Sequence, residues 1–313
     1  MIQCRYDKSE TINFELRNQN CEIENVKLEG KYEMRFQRIV ILGNGKIAVD
    51  CLYELLNYVD KTNIFVIESQ YSPVSLLKKN CDKNNVRYFP ANDVIATLSQ
   101  AIVPKTLVIS ANNSVIIPSE ICESNTVEII NFHYSFLPDY KGVNIPSWVI
   151  FNREESTGVT WHYVNAELDA GEIICQKKII LDETSVALQI VQKGMELGIQ
   201  CFKEMMPQFL NERISGIKNG KGEHFYKSSQ FPHNAEICET DDGELISRML
   251  RTYDYGVLAL MGVLRFRFGG KMYGIKNYAI YKDGGFIAGK QLHTYQCELN
   301  KGVYKIQLVL EDI

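Results

Sequence analysis

Three side chains near the middle of the sequence could act on one reacting group: the amide of Asn131, the imidazole of His133 and, after a gap, the carboxylate of Asp169. An amide N–H and an imidazole N–H can stabilise an oxygen that gathers negative charge, and one such donor in a dry site is worth about 3 kcal/mol. Histidine, with an ordinary pKa of about 6.5, can give and take protons near neutrality. A carboxylate beside it can hold the imidazolium form in place or, directly or through water, accept a proton. The set suits a transfer in which one group loses a proton, another gains one, and an oxygen between them becomes anionic.

The elements that must position these residues are legible around them. The run from Thr126 to His133 is β-branched and apolar, so it predicts a strand with Asn131 and His133 on one face at its carboxyl end. Open α/β sheets bind ligands at that edge. Leu137-Pro138 and Tyr140-Lys141-Gly142 end the strand with turn chemistry, and Gly158 to Val164 reads as a second strand leading into the loop that carries Asp169. Taken singly, each residue also has a plain structural account. His133 and His162 read as packed strand histidines, His162 sharing a face with Thr160 and Val164, and Asp169 reads as a turn aspartate before Ala170-Gly171. Ser135 has no base beside it in sequence and reads as a turn-shaping residue; Asn165 ends its strand as a turn former.

Together, NFHYSFLPDYKG and the later GVTWHYVNAELDAGEII, spanning with their flanks roughly residues 38 to 210, resemble the folate-dependent formyltransferases, whose pattern is Asn-x-His-x-Ser-x-Leu-Pro followed by Leu-Asp-x-Gly. The resemblance implies transfer of a formyl group from 10-formyltetrahydrofolate to an amine, with Asn131, His133 and Asp169 as the catalytic set and no cysteine or serine nucleophile. It implies that Ser114, Val115 and Ile116, in the loop from Ala111 to Pro118, lie against the pterin, with Asn165 a further candidate for the folate. Asn112 and Asn113 in that loop read as turn formers. His162 occupies a place where the family has a histidine near the reaction centre, which implies a supporting role, as does the position of Ser135. The stretch Gly142-Val-Asn144-Ile-Pro-Ser-Trp148 resembles the family's Gly-x-Asn-Pro-x-x-Trp with the proline one place later. On that match Asn144 would bond the acceptor and Lys141 would meet its phosphates; Asn144 equally reads as the cap of a helix that has Pro146 near its start.

Elsewhere the chain reads as a scaffold. Residues 1–36 form a polar leader, with a short hairpin expected around Asn18-Gln-Asn20. Arg38 to Leu42 reads as a buried strand, Gly43-Asn44-Gly45 as a tight turn, and Lys46 to Val59 as a helix with one apolar face. Backbone N–H groups at that helix start, reinforced by Lys46, could receive a phosphate or carboxylate. With Ala48 and Glu68 the same turn also fits the looser dinucleotide fingerprint, so a nicotinamide cofactor competes for this element alone. Ile64 to Ile67 and Thr106 to Ser110 are further strands of a parallel sheet, and Thr184 to Leu210 a long helix. The fold class is therefore α/β: a Rossmann-like, mostly parallel sheet flanked by helices in a catalytic domain over 37–210. A linker over 211–235 leads to a small β-rich domain over 236–313. There a capped helix from Asp241 to Leu250 precedes strands at 257–268, 271–281, 286–297 and 303–310, antiparallel by their Gly-rich turns, for which the resemblance implies an open barrel.

Composition excludes several classes. The 313 residues are 45% hydrophobic and 23% charged, as in a globular protein, with no run of 18 or more apolar residues and a polar, charge-mixed beginning. A cytoplasmic protein with neither membrane span nor signal is expected. Nine cysteines are scattered singly, and no histidine has metal-ligand spacing to another ligand, so neither a disulfide framework nor a metal is expected. A net charge of -4 gives no nucleic-acid footprint, and from Ser215 onward 13 Lys/Arg face 11 Asp/Glu, where a tRNA-binding module should be clearly basic. With tRNA disfavoured, the family resemblance, including the Gly142 to Trp148 match, implies as acceptor a primary amine on a small molecule, best a nucleotide-linked amino sugar, with a homodimer as one assembly state. A formyltransferase of peptide or siderophore biosynthesis, or a 10-formyltetrahydrofolate hydrolase, would carry the same motifs.

Overall fold

Unbroken β-branched runs belong in strands covered on both faces, and Ile39 to Leu42, Ile64 to Ile67 and Leu107 to Ile109 are all buried. The computed structural model describes residues 34–258 and 260–313; the expected hairpin at 18–20 and the leader up to residue 33 lie outside the described residues. In chain order, β1 (Arg38–Gly43), α1 (Gly45–Leu55), β2 (Ile64–Glu68), α2 (Leu76–Asn84), β3 (Arg87–Phe89), α3 (Val94–Ala101), β4 (Thr106–Ala111), α4 (Ser119–Cys122) and β5 (Val127–His133) alternate. There follow β6 (Lys141–Gly142), α5 (Ile145–Phe151), β7 (Ser156–Tyr163), β8 (Ile173–Ile180) and α6 (Ala187–Phe209). The sheet order is β3-β2-β1-β4-β5-β7-β8. The first five strands pair in parallel, and β7 and β8 add antiparallel. The chain reverses its direction of spread between β1 and β4, the switch point beside which open α/β sheets bind ligands at the carboxyl ends of their strands.

Two cores cover the sheet. Side chains from α1, α5 and α6 pack with one face, including Leu52, Trp148 and Phe202; Leu98 and Ala101 of α3 pack with Val40, Leu42 and Val108 on the other. Gly43 is fixed by space rather than by a ligand: a Cβ there would stand 1.9 Å from the carbonyl oxygen of Ala111. Asn44 has no capping bond to α1; its side chain reaches Ser69 and Gln70 instead.

The remaining elements are β9 (Phe225–Tyr226), β10 (Glu236–Cys238), α7 (Gly243–Thr252), β11 (Arg265–Phe268), β12 (Lys271–Lys282), β13 (Gly285–Gly289), β14 (Cys297–Lys301) and β15 (Tyr304–Asp312). The strands from β10 onward build a second, mainly antiparallel sheet in the order β10-β11-β12-β15-β14, with β13 also on β12; β10 and β11 alone run parallel. Asp242 caps α7 through the Leu245 amide. Two expected strands differ. The stretch 257–268 is strand only from Arg265, because Gly256 and Gly262 take positive φ and break it into turns. The stretch 286–297 divides into β13 and β14 around Gly289, at φ +90.

The stretch expected to be a plain connector also pairs back: β9 runs parallel to β6, with Lys141 opposite Phe225 and Gly142 opposite Tyr226. Met34 to Ile313 form one compact unit.

Candidate active site

Strand β5 ends with Asn131 and His133 on one face, and β7 lies beside it with His162 opposite Asn131 and Thr160 opposite His133. The period-two geometry of paired strands therefore brings both histidines and the amide together. The Asn131 side chain lies between Ser110, at 2.7 Å, and Nε2 of His162, at 3.1 Å. His162 is buried, with Nδ1 2.7 Å from the carbonyl of Tyr163. Burial, aided by the charges of His133 and Lys141 and opposed by Asp169, pulls its pKa down to about 4.

His133 is also buried, and its Nε2–H donates to the carbonyl of Tyr140 at 2.8 Å. That leaves Nδ1 facing Oδ2 of Asp169 across 3.8 Å. Oδ1 of the same carboxylate is 3.7 Å from Nε2 of His162. Asp169 thus reaches towards both histidines without touching either, while Oδ2 accepts the Gly142 N–H at 2.9 Å.

Local backbone explains why these residues stand where they do. Asp169 has φ +50, a left-handed conformation that aspartate tolerates better than most residues, and the Asn219 amide donates to its carbonyl at 2.9 Å. Gly171 is required because a Cβ would stand 1.8 Å from the carbonyl of Tyr163. Gly142, at φ +93, passes as closely to Tyr226, where a Cβ would meet the carbonyl at 2.1 Å. Ser135 shapes the turn after β5: its hydroxyl donates to the carbonyl of Asp139, and its own carbonyl accepts from Thr160.

That turn is clasped from the other side by residues 219–226. Asp139 accepts N–H bonds from Tyr140, Glu223 and His224, and the His224 ring nitrogen approaches at 2.9 Å. Partial burial raises its pKa, but the His224 side chain and these N–H groups outweigh that and leave it below the usual carboxylate range. His224 stacks on Tyr140 with ring centres 4.5 Å apart, and Tyr226 stacks on Trp148 at 3.9 Å.

The other expected site residues divide. Lys141 lies near enough for its charge to depress His162, and has no carboxylate partner among the described residues. Asn144 takes the N-cap position of α5 at φ +59, but its side chain makes no capping bond, so the capping account does not hold for that side chain. At the carboxyl end of β4, Ile116 is 79% exposed, Ser114 bonds Ser69, and both backbone groups of Val115 are bonded by the side chain of Asn113. Asn165 bonds the amide of Glu167, the turn-forming alternative. Lys46 is ion-paired with Asp50 one turn further along α1. Glu68 is buried and bonded by Ser75 and Tyr88, which accounts for it without a ribose.

Sequence reasoning gave Ser110, Asp139, Tyr140, Asn219 and His224 no role in the site. Ser110 alone had a local signal, as the polar end of an apolar strand; the clasp joins residues about 85 positions apart. Among the described residues no group of three His, Cys, Asp or Glu side chains is arranged to hold a metal ion, and no helix is long and apolar enough to cross a membrane.

Residues 37–206 match the family described as formyl transferase. Among curated relatives, the methionyl-tRNA formyltransferase of Clostridioides difficile is 33% identical over 184 residues, 54% of this chain and 58% of that one. That of Alkaliphilus oremlandii is 26% identical over 203 residues, 60% and 64% of the two chains. The chain thus spans roughly three fifths of these relatives. Among solved structures, the Helicobacter canadensis N-formyltransferase in complex with folinic acid and dTDP-3-aminofucose superposes with a TM-score of 0.67 at 20% identity, covering 87% of this chain and 99% of that one. WlaRD, a sugar 3N-formyl transferase solved with dTDP and 5-N-formyl-THF, gives 0.65 at 20% identity, covering 87% and 97%. At such identity these likenesses describe the fold, which includes the second sheet.

Proposed function

Because the chain belongs to the formyl transferase family, we propose that it moves a formyl group from 10-formyltetrahydrofolate to the primary amine of a small molecule, a nucleotide-linked amino sugar. The observation that carries this reading is the convergence of the Asn131 amide, the His133 ring and the Asp169 carboxylate at the carboxyl edge of β5, with a bare His133 Nδ1 facing that carboxylate across 3.8 Å. Such a gap suits an incoming amine, which would give its proton to the pair while Asn131 donates to the formyl oxygen.

The folate co-substrate supplies an activated formyl group and a nitrogen that leaves with a proton. The residues present fit it. Exposed Ile116 and half-buried Val115 offer an apolar face to a flat ring at the switch point of the sheet, with Ser114 and Asn165 at its rim. His133 is the proton carrier: held through Nε2 by the Tyr140 carbonyl, its Nδ1 takes the amine proton and returns one to the departing nitrogen. Asp169 favours the imidazolium formed meanwhile. Lys141, without a carboxylate partner, and Asn144, with its side chain free of the helix, are assigned to the acceptor, the lysine to its phosphates.

Two features favour an amino sugar over charged tRNA. The segment from Ser215 is nearly neutral, and two sugar N-formyltransferases share the fold almost end to end. The test is to offer the protein 10-formyltetrahydrofolate with dTDP- and UDP-linked amino sugars, with methionyl-tRNA, and with no acceptor, following product mass and tetrahydrofolate release. Formylation of the tRNA but of no sugar would sink the acceptor assignment; release without an acceptor as fast as with one would turn the reading to hydrolysis.

A further inference from the structure

Which end of the Asn131 amide faces the reaction space follows from a chain of hydrogen bonds that can be read in one direction only. It begins at the carbonyl oxygen of Tyr163, which can only accept, and which therefore takes Nδ1–H of His162 at 2.7 Å. His162 is 1% exposed, and burial, followed by the charges of His133 and Lys141, keeps its ring neutral around pH 7. A neutral imidazole with its proton on Nδ1 carries a bare lone pair on Nε2. The Asn131 atom 3.1 Å from that lone pair must be a donor, so it is the amide nitrogen. The amide oxygen then points the other way, 2.7 Å from the hydroxyl of Ser110, which must donate. Ser110 is buried, at the carboxyl end of β4 in direct register with Asn131.

Of the two N–H bonds on the amide, His162 takes one and the other remains. We propose that Ser110 is a positioning residue for the transfer: by donating to Oδ1 of Asn131 it locks the amide with the free N–H directed at the formyl oxygen. His162 grips only one end of the amide. With Oδ1 released, the group can rotate and present a lone pair to an oxygen that is gaining charge, which repels where it should stabilise. The inference rests on the formyl-transfer reading of the site, and its test includes a measurement that needs no turnover.

Ser110→Ala and Ser110→Thr, made in the full chain, are compared with wild type in steady-state formyl transfer and in the 15N spectrum of the Asn131 side-chain amide, identified by its loss in Asn131→Asp. Ser110→Ala should lower kcat by about tenfold, the worth of one neutral hydrogen bond, and leave both KM values within about twofold. It should also hasten exchange of the Asn131 amide protons with solvent. Ser110→Thr, which keeps the hydroxyl, should restore both properties. Unchanged kcat with unchanged exchange overturns the proposal, as does a loss of kcat that follows the melting temperature and leaves exchange untouched. If the wild type formylates no amine, the transfer reading fails by itself; amide exchange still reports whether Ser110 holds the group.

Discussion

Nδ1 of His133 stands 3.8 Å from Oδ2 of Asp169, a separation too long for a hydrogen bond, while the opposite nitrogen of the same ring is held at 2.8 Å by the Tyr140 carbonyl. The ring is thereby fixed in one tautomer, and its basic nitrogen is directed at a space rather than at a partner.

His133→Ala should fold and lose formyl transfer by about a hundredfold or more, since one side chain supplies both proton transfer and charge stabilisation. Steady-state kinetics with saturating acceptor decide it; near-normal kcat would remove His133 from the mechanism.

Asp169→Asn keeps an oxygen for the Gly142 N–H and suits the same left-handed backbone, so the melting temperature and folate binding should change little. Formyl transfer should be lost from about pH 6 to about pH 9, because the amide neither favours imidazolium nor accepts a proton. Recovery only at high pH would assign Asp169 the single task of deprotonating the amine. Full activity at neutral pH would sink the set.

His162 yields a prediction about stability. Its pKa falls from 6.5 to about 4 on folding, so between those values the unfolded chain binds the extra proton. The contribution of neutral His162 is complete above about pH 6.5 and is lost as pH falls towards about 4. Melting temperatures across this window should decline on acidification, and more shallowly in His162→Gln; parallel curves for the two proteins would contradict the assignment.

Gly171→Ala places a Cβ 1.8 Å from the Tyr163 carbonyl, the same oxygen that anchors His162. Backbone must move, at a cost of about 3 kcal/mol or more. Urea denaturation measures it, and a loss below about 1 kcal/mol would show that the loop yields easily.

What the sequence makes legible is what repeats locally. Strand β5, the parity of Asn131 with His133, the loop carrying Asp169 and the body of α6 are all expressed in side-chain alternation, turn residues or helical period, although α6 starts at Ala187, three residues after the expected Thr184. The apolar stretch after Gly256 deceives because hydrophobicity marks burial only on average, and Val257 and Leu260 are exposed. The bonds from Asn219 to Asp169 and from His224 to Asp139 have no local trace at all: each joins residues 50 or more apart through polar contacts, which periodicity does not encode.

The clasp has a consequence for how this chain could be recombined with others. The part recognised as formyl transferase stops at residue 206, yet Asn219, His224 and Tyr226, which steady the loops carrying Asp169, Asp139 and Gly142, follow it. An exchange of rear halves between relatives that joins them at the end of α6 would cut the machinery from its own brace. A seam placed beyond Phe231 would move the second sheet as a cassette and leave the reaction centre whole.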